Sequence, residues 1–174
     1  MNSPTLFEAL GGFDGVLRLA QAWHARVLAD EVVAHAFSHG FHPRHTEHLA
    51  AYWSEAWGGP PLYTALQGTE TAVVRMHSGN GEHDEMDRRA ISCFDQALTD
   101  AGVEASPLRD ALCAYFTWAT TGRMAAYPHR RNDVPEGLSI ARWGWQGLIS
   151  SDDRPPCQAP TIQPSSGSTP SGQP

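Results

Sequence analysis

The chain has 174 residues, and its 41% of hydrophobic residues is enough to build the core of one globular domain. Lys and Arg number 12 against 19 Asp and Glu, so the formal net charge is −7 and no basic stripe is available for nucleic-acid phosphates. No apolar run reaches the length of a membrane span, and the N-terminus lacks the layout of a signal peptide. Three cysteines without CxxC spacing favour a reducing compartment. We therefore expect a cytoplasmic protein with neither a nucleic-acid nor a membrane partner.

Helical spacing of apolar residues dominates the first part of the chain. Thr5 is placed to cap a short first helix that ends at Gly11-Gly12, and Asp14 is placed to cap a second. Pro43 suits the first turn of a further helix that runs to about Trp57. The Gly-Gly-Pro-Pro run that follows Trp57 predicts an abrupt end to that helix.

The same spacing continues in the second part of the chain. A short helix is predicted over residues 71–77, and Gly79-Asn80-Gly81 ends it. Asp84 opens a longer helix, and Ser106-Pro107 is a cap followed by proline at the first helical position. Because no strand-like alternation of useful length is present, the predicted fold class is all-α.

The C-terminal part differs in composition from the helical part. Residues 125–150 carry scattered apolar anchors, which predict an irregular arm packed on the helical body. Residues 151–174 are rich in Pro, Ser, Gly and Gln, and a segment of this composition is predicted to be disordered. The predicted organisation is a helical domain over residues 1–124, then the arm, then the tail.

Histidine is unusually frequent, with nine in the chain. His39, His42, His45 and His48 follow one another at steps of three. On one helix such steps drift around the axis, and Pro43 places the first two before the helix, so the four do not converge on one ion. A non-haem metal site built from histidines remains an alternative that this pattern disfavours.

His77 has a different setting, at the end of the short apolar helix and before Ser78-Gly79. A haem iron needs one neutral imidazole on its proximal side and an apolar wall beside it. This segment supplies both. Taken alone the signal is weak, because a histidine at a helix end is more often a cap or a surface group.

A longer pattern strengthens this interpretation. Trp57-Gly58-Gly59-Pro60 is followed by Tyr63, then by a histidine after an apolar and basic helix, then by Arg-x-x-x-x-Cys-Phe ending at Phe94. Together with the opening Leu6-Phe7-Glu8-Ala9-Leu10-Gly11-Gly12, this pattern resembles the truncated haemoglobins, and group II in particular. The resemblance covers about residues 5–124.

The resemblance implies a globin-like fold, a truncated 2-over-2 helical sandwich around haem b. It implies that His77 is the proximal iron ligand, that Phe37 packs on the distal face of the haem, and that Leu49 lies on the distal helix. Tyr63 and Arg75 are candidate partners of the haem propionates, since a carboxylate favours a hydroxyl and a cation. The predicted haem-binding residues are His77, Phe37, Leu49, Tyr63, Arg75 and Met76.

Two positions depart from the family pattern. The family usually has a tyrosine after an aromatic residue on the second helix, and here the pair is Trp23-His24. Group II usually has a tryptophan three residues before the cysteine, and here Ala90 opens space and removes an indole donor. His45 is expected to be the distal-helix residue nearest a bound gas. The predicted distal pocket consists of His24, His45, Trp23 and Ala90.

The function expected from the resemblance is reversible binding of O2, and of other diatomic ligands, at the haem iron. Two distal histidines also suit proton transfer, so a haem oxidoreductase acting on peroxide or nitric oxide is the first alternative, with a reductase as a candidate partner. A further option is that His24 or His45 binds the iron directly. The sequence does not decide whether the protein is an enzyme, nor its oligomeric state.

Overall fold

A computed structural model describes residues 3–150, and the predicted disordered tail 151–174 lies outside the described residues. The predicted helices appear in the predicted order, together with a short helix at Leu62–Leu66 that was not predicted. The α-helices are α1 (Leu6–Ala9), α2 (Gly12–Ala29), α3 (His45–Ala56), α4 (Leu62–Leu66), α5 (Glu70–His77), α6 (Asp84–Asp100) and α7 (Pro107–Trp118). The shorter elements are 3-10 turns at Val33–Phe37 and Arg131–Asp133, a π-helical turn at Ala119–Met124, and strands β1 (Arg142–Gly144) and β2 (Gly147–Ser150).

Local capping explains where several helices begin. The Thr5 hydroxyl accepts from the Glu8 amide, and the Glu8 carboxylate accepts from the Thr5 amide at 2.8 Å, which forms a capping box. Ser106 caps α7 ahead of its proline, as predicted. The expected cap at Asp14 is wrong, because α2 already begins at Gly12 after Gly11 in the left-handed conformation. That glycine lets the chain turn directly from α1 into α2.

The four long helices pack as two pairs, α2 with α3 and α6 with α7. The pairs are in contact because α2 also packs on α6. Aromatic rings fill the space between the pairs: Trp53 of α3 lies edge-on to Phe94 of α6 at 5.5 Å and to Phe116 of α7 at 6.0 Å between ring centroids. Such pairs contribute about 0.5–1.5 kcal/mol each beyond their burial. The core therefore lies between the helix pairs and is dominated by aromatic packing.

The arm, residues 125–150, contains a hairpin that the sequence did not predict. Strands β1 and β2 pair antiparallel, with Trp143 opposite Leu148. Trp143 is buried, and its ring centroid lies 5.3 Å from that of Trp118. The Trp145 indole donates to the Pro4 carbonyl at 2.7 Å. Strands of three and four residues are too short for a readable alternation, which is why sequence periodicity missed them.

Across residues 3–150, no helix combines the length and the apolar character that crossing a membrane requires.

Candidate functional site

His77 is the last residue of α5, a helix of eight residues that Thr69 caps through the Ala72 amide. The imidazole Nδ1 lies 2.9 Å from the Val73 carbonyl oxygen. In the neutral tautomer that donates from Nδ1, the Nε2 lone pair is left available for a metal. His77 is exposed, and its Nε2 has no hydrogen-bond partner among residues 3–150. This orientation is the one that an iron-ligating imidazole requires.

A second group of rings gathers between α2 and the start of α3. His24 and His45 have ring centroids 4.9 Å apart, and Phe37 lies 5.5 Å from each of them. Phe41 completes the group at 4.6 Å from His24 and 6.0 Å from His45. The structure thus brings together three predicted residues and adds Phe41. Sequence reasoning missed Phe41 because it lies in a loop without periodicity.

The two imidazoles of this group carry unpartnered nitrogen atoms. Nε2 of His24 and Nε2 of His45 are buried and have no hydrogen-bond partner. Burial lowers the pKa of His24. Burial, together with the neighbouring histidine charges, among them that of His77, lowers the pKa of His45 to about 4. Both rings are therefore neutral near pH 7, and each Nε2 is available to a ligand as donor or acceptor.

An unpartnered buried polar atom costs about 1–3 kcal/mol, and this group of rings holds two of them side by side, where one bound molecule would partner both. Neutral imidazole nitrogens beside phenyl rings are the donor set that a haem iron and a small gas ligand require. The residues present fit a haem group.

The other residues predicted for the distal pocket, Trp23 and Ala90, pack in the helical core. The Trp23 indole N–H donates to the Ala90 carbonyl at 3.3 Å, and the ring packs edge-on against Trp53 at 5.9 Å and Phe116 at 5.6 Å. Trp23 therefore ties α2 to α6, and its N–H is already engaged. Ala90 is buried in α6, and Leu49 is half-buried against the core.

The predicted propionate partners differ in availability. Arg75 forms an ion pair with Glu136 of the arm at 2.6 Å, so its guanidinium already has a carboxylate partner. Tyr63 is half-buried, and burial raises the pKa of its hydroxyl. Met76 is 62% exposed next to His77.

The surface histidines form a pair but not a metal cluster. His42 stacks on His48 at 4.6 Å between ring centroids with planes 21° apart. Within the described part of the chain, residues 3–150, no group of three or more His, Cys, Asp or Glu side chains is arranged to hold a metal ion. The residues described thus give no support to the non-haem metal alternative.

Comparison with known proteins agrees with this geometry. The family described as bacterial-like globin matches residues 5–121, more than half of the chain. The chain belongs to this family. A solved structure of the group II truncated haemoglobin from Bacillus anthracis matches with a TM-score of 0.64 and 21% identity, over 75% of this chain and 97% of that one.

Two other solved haemoglobins are similar to this globin at higher identity. That of the thermophilic phototroph Chloroflexus aurantiacus is 26% identical over 74% of this chain and all (100%) of its own, with a TM-score of 0.61. That of the actinobacterium Thermobifida fusca is 26% identical over 70% of this chain and 97% of its own, with a TM-score of 0.58. No curated protein matches. The predicted globin-like fold and the likeness to truncated haemoglobins are confirmed, and membership of the globin family implies a haem cofactor.

Proposed function

We propose that this globin holds haem b through His77 and reversibly binds a diatomic ligand, with O2 expected, in the cytoplasm. The observation that carries the proposal is the 2.9 Å contact between His77 Nδ1 and the Val73 carbonyl, which leaves Nε2 free for the iron. The haem supplies the reversible coordination of the gas. The chain would supply the iron-bound nitrogen from His77, apolar side chains beside the haem, and the hydrogen-bond donors His24 and His45.

The distal residues have two proposed roles toward the ligand, exclusion of water and donation of hydrogen bonds. Phe37 and Phe41 surround His24 with apolar rings, which exclude water from its Nε2. Because His24 and His45 are neutral near pH 7, each has one ring N–H to donate toward the partial negative charge of a diatomic ligand. Such a hydrogen bond in a dry pocket is worth about 1 kcal/mol or more. Leu49, Met76 and Tyr63 are proposed to line the haem, with Arg75 near a propionate.

A haem enzyme that reduces peroxide is the second candidate, and the closeness of His24 to His45 favours it. The ring centroids lie 4.9 Å apart, and one imidazole would accept a proton from one peroxide oxygen and return it to the other. Reduction of hydrogen peroxide to two waters takes two electrons and two protons, and a reductase would supply the electrons. The same free Nε2 atoms also make His24 or His45 a candidate sixth iron ligand.

The test is spectroscopic and uses the full chain expressed with haem. We expect a Soret band, a five-coordinate or six-coordinate ferrous spectrum, and a CO complex in the wild type. The His77→Gly variant should lose most of its haem, and added imidazole should restore the wild-type spectrum. His83→Gly, which removes an exposed histidine at the start of α6, is the matched control and should change nothing. Retention of haem with an unchanged fifth ligand in His77→Gly would overturn the proposal.

Peroxide turnover with an electron donor separates the two candidates. If His24→Phe and His45→Leu leave the rate of peroxide reduction unchanged while O2 dissociation accelerates, the protein is a ligand binder. If both variants lower peroxide turnover, the second candidate gains.

A further inference from the structure

The helix that carries His77 is too short to hold its own position. An α-helix of eight residues is marginal in water, so tertiary contacts must fix α5. Its closest packing partners among the secondary-structure elements are the π-helical turn after α7 and the 3-10 turn at Arg131–Asp133, rather than the four long helices. The 3-10 turn belongs to the arm, residues 125–150.

The arm is bonded to the residues that directly follow His77. The Arg131 Nε donates to the Ser78 carbonyl at 3.1 Å. The Gly79 amide donates to the Tyr127 carbonyl at 3.0 Å, and the Gly81 amide to that of Pro128 at 2.8 Å. Gly79 has a φ of +76°, so this close backbone pairing uses a conformation that other residues rarely adopt. The C-terminal end of α5 is thereby fixed to the arm.

The first turns of α5 are bonded to the arm as well. The buried Thr71 hydroxyl donates to the Pro135 carbonyl at 3.2 Å and accepts from the Leu138 amide at 3.1 Å. One turn later, Arg75 pairs with Glu136 at 2.6 Å. Contacts at both ends of α5 fix the direction of its axis as well as its position.

A buried ion pair anchors the base of α5. Glu70 is 1% exposed, and its carboxylate accepts from the Tyr52 hydroxyl and from Arg123 Nε, each at 2.8 Å. Arg123 also donates to the Ser139 carbonyl of the arm at 3.0 Å. The pair therefore joins the His77 helix to α3 and to the arm in one network.

We propose that the arm is a positioning element for α5, which sets the position of the His77 imidazole that would bind the haem iron and so controls the rate at which haem is lost. The inference rests on the proposed role of His77 as iron ligand. Residues 127–138, which make most of these contacts, lie beyond residue 121, where the globin family match ends. Groups that orient a metal ligand change metal affinity by about 10-fold to 100-fold when they are removed.

The experiment uses the full-length holoprotein and the double variant Thr71→Val/Arg131→Met, which removes a bond at each end of α5 and leaves His77 in place. We expect haem transfer to an excess of apomyoglobin to become about 10-fold faster or more. The iron–histidine stretching band of the deoxygenated ferrous protein should shift in resonance Raman spectra. In the haem-free protein, amide hydrogen exchange of α5 should accelerate while that of α2 and α6 does not.

Two controls separate positioning from general loss of stability. Asp100→Asn breaks a bidentate ion pair with Arg26 on the α2–α6 side, away from the arm, and should leave all three readouts unchanged. Thr71→Ser keeps the hydroxyl and should keep wild-type behaviour. If the double variant does not fold, Thr71→Val and Thr71→Ser are compared as single changes.

The outcomes distinguish this inference from the proposed function. Faster haem transfer and a shifted stretching band with wild-type spectra otherwise support the positioning role. An unchanged transfer rate and an unchanged band overturn it, although His77 would remain the ligand. A wild type without a Soret band, or a His77→Gly variant with an unchanged fifth ligand, overturns the proposed function instead.

Discussion

The two sides of the site differ in how their polar groups are satisfied. On the His77 side, Thr71, Arg75 and Glu70 all have partners in the arm or the helical body. On the other side, the Nε2 atoms of His24 and His45 are buried without any partner. Buried polar groups in folded proteins are nearly always paired, although the Trp143 indole of the arm also lacks a partner. The bonded groups around His77 therefore form a support side, and the two neighbouring unpaired imidazoles form a ligand side.

The largest effect on stability is expected from a substitution on the support side. Glu70→Ala removes the carboxylate that faces the buried Arg123 guanidinium and the Tyr52 hydroxyl. We expect it to lower the free energy of unfolding by about 3 kcal/mol, because a buried charge loses its counter-ion. Urea unfolding followed by circular dichroism measures the change. Glu8→Ala, at the exposed cap of α1, is the control, and an equal loss in both variants would contradict the prediction.

A change on the ligand side should act in the opposite direction. His45→Leu removes a buried nitrogen that has no partner, so the haem-free protein should gain about 1 kcal/mol of stability. In the holoprotein the same variant should release O2 about 5-fold faster, as expected for a lost hydrogen bond of about 1 kcal/mol. Chemical unfolding and stopped-flow O2 release are the two measurements. Loss of stability in the haem-free variant would show that the nitrogen is satisfied after all.

The pH dependence of the haem-free protein sharpens the same comparison. The pKa of His45 is about 4 in the folded chain, against about 6.5 for an unperturbed histidine. Between these values the unfolded chain binds more protons, so the free energy of unfolding falls as pH decreases from about 6.5 toward 4. The loss should be on the order of 1 kcal/mol, since the ring is only half-buried.

His45→Leu provides the control for this pH effect. Its free energy of unfolding, measured by urea titration at several pH values, should fall less steeply with acidification over that range. Parallel profiles for the two proteins would remove His45 as the cause.

The smallest effect on stability is expected from an exposed ion pair on the support side. Glu136→Gln removes the surface ion pair with Arg75, in which the Glu136 side chain is 78% exposed. Pairs of this kind contribute about 0–1 kcal/mol, so stability should change by about 0.5 kcal/mol at most. The difference from wild type should shrink at high salt. Thermal unfolding at two salt concentrations checks both statements, and a large salt-independent loss would run against them.

Much of the helical frame could be predicted because local signals determine it. Ser106 before Pro107 marks the start of α7, and Thr5 with Glu8 marks that of α1. The place of the candidate iron ligand His77 at the end of a short helix was also predicted, and α5 ends there. The Asp14 cap failed where a left-handed Gly11 began the helix earlier.

What could not be predicted depends on contacts between distant parts of the chain. Phe41 joins the distal rings from a loop whose sequence has no period. The ion pair of Arg75 with Glu136, 61 residues further on, likewise joins distant parts of the chain. The contact of Thr71 with the arm could not be predicted either, because a hydrogen bond from a hydroxyl to a backbone carbonyl produces no pattern in the sequence.

The arm also imposes an order on how the protein is made. Thr71 and Ser78 bond to residues 64 and 53 positions later in the chain. Those bonds form only after the ribosome has synthesised the arm, long after α5 itself has emerged. During synthesis from the N-terminus, the helix bearing the iron ligand is therefore among the last parts of the globin to reach its final place.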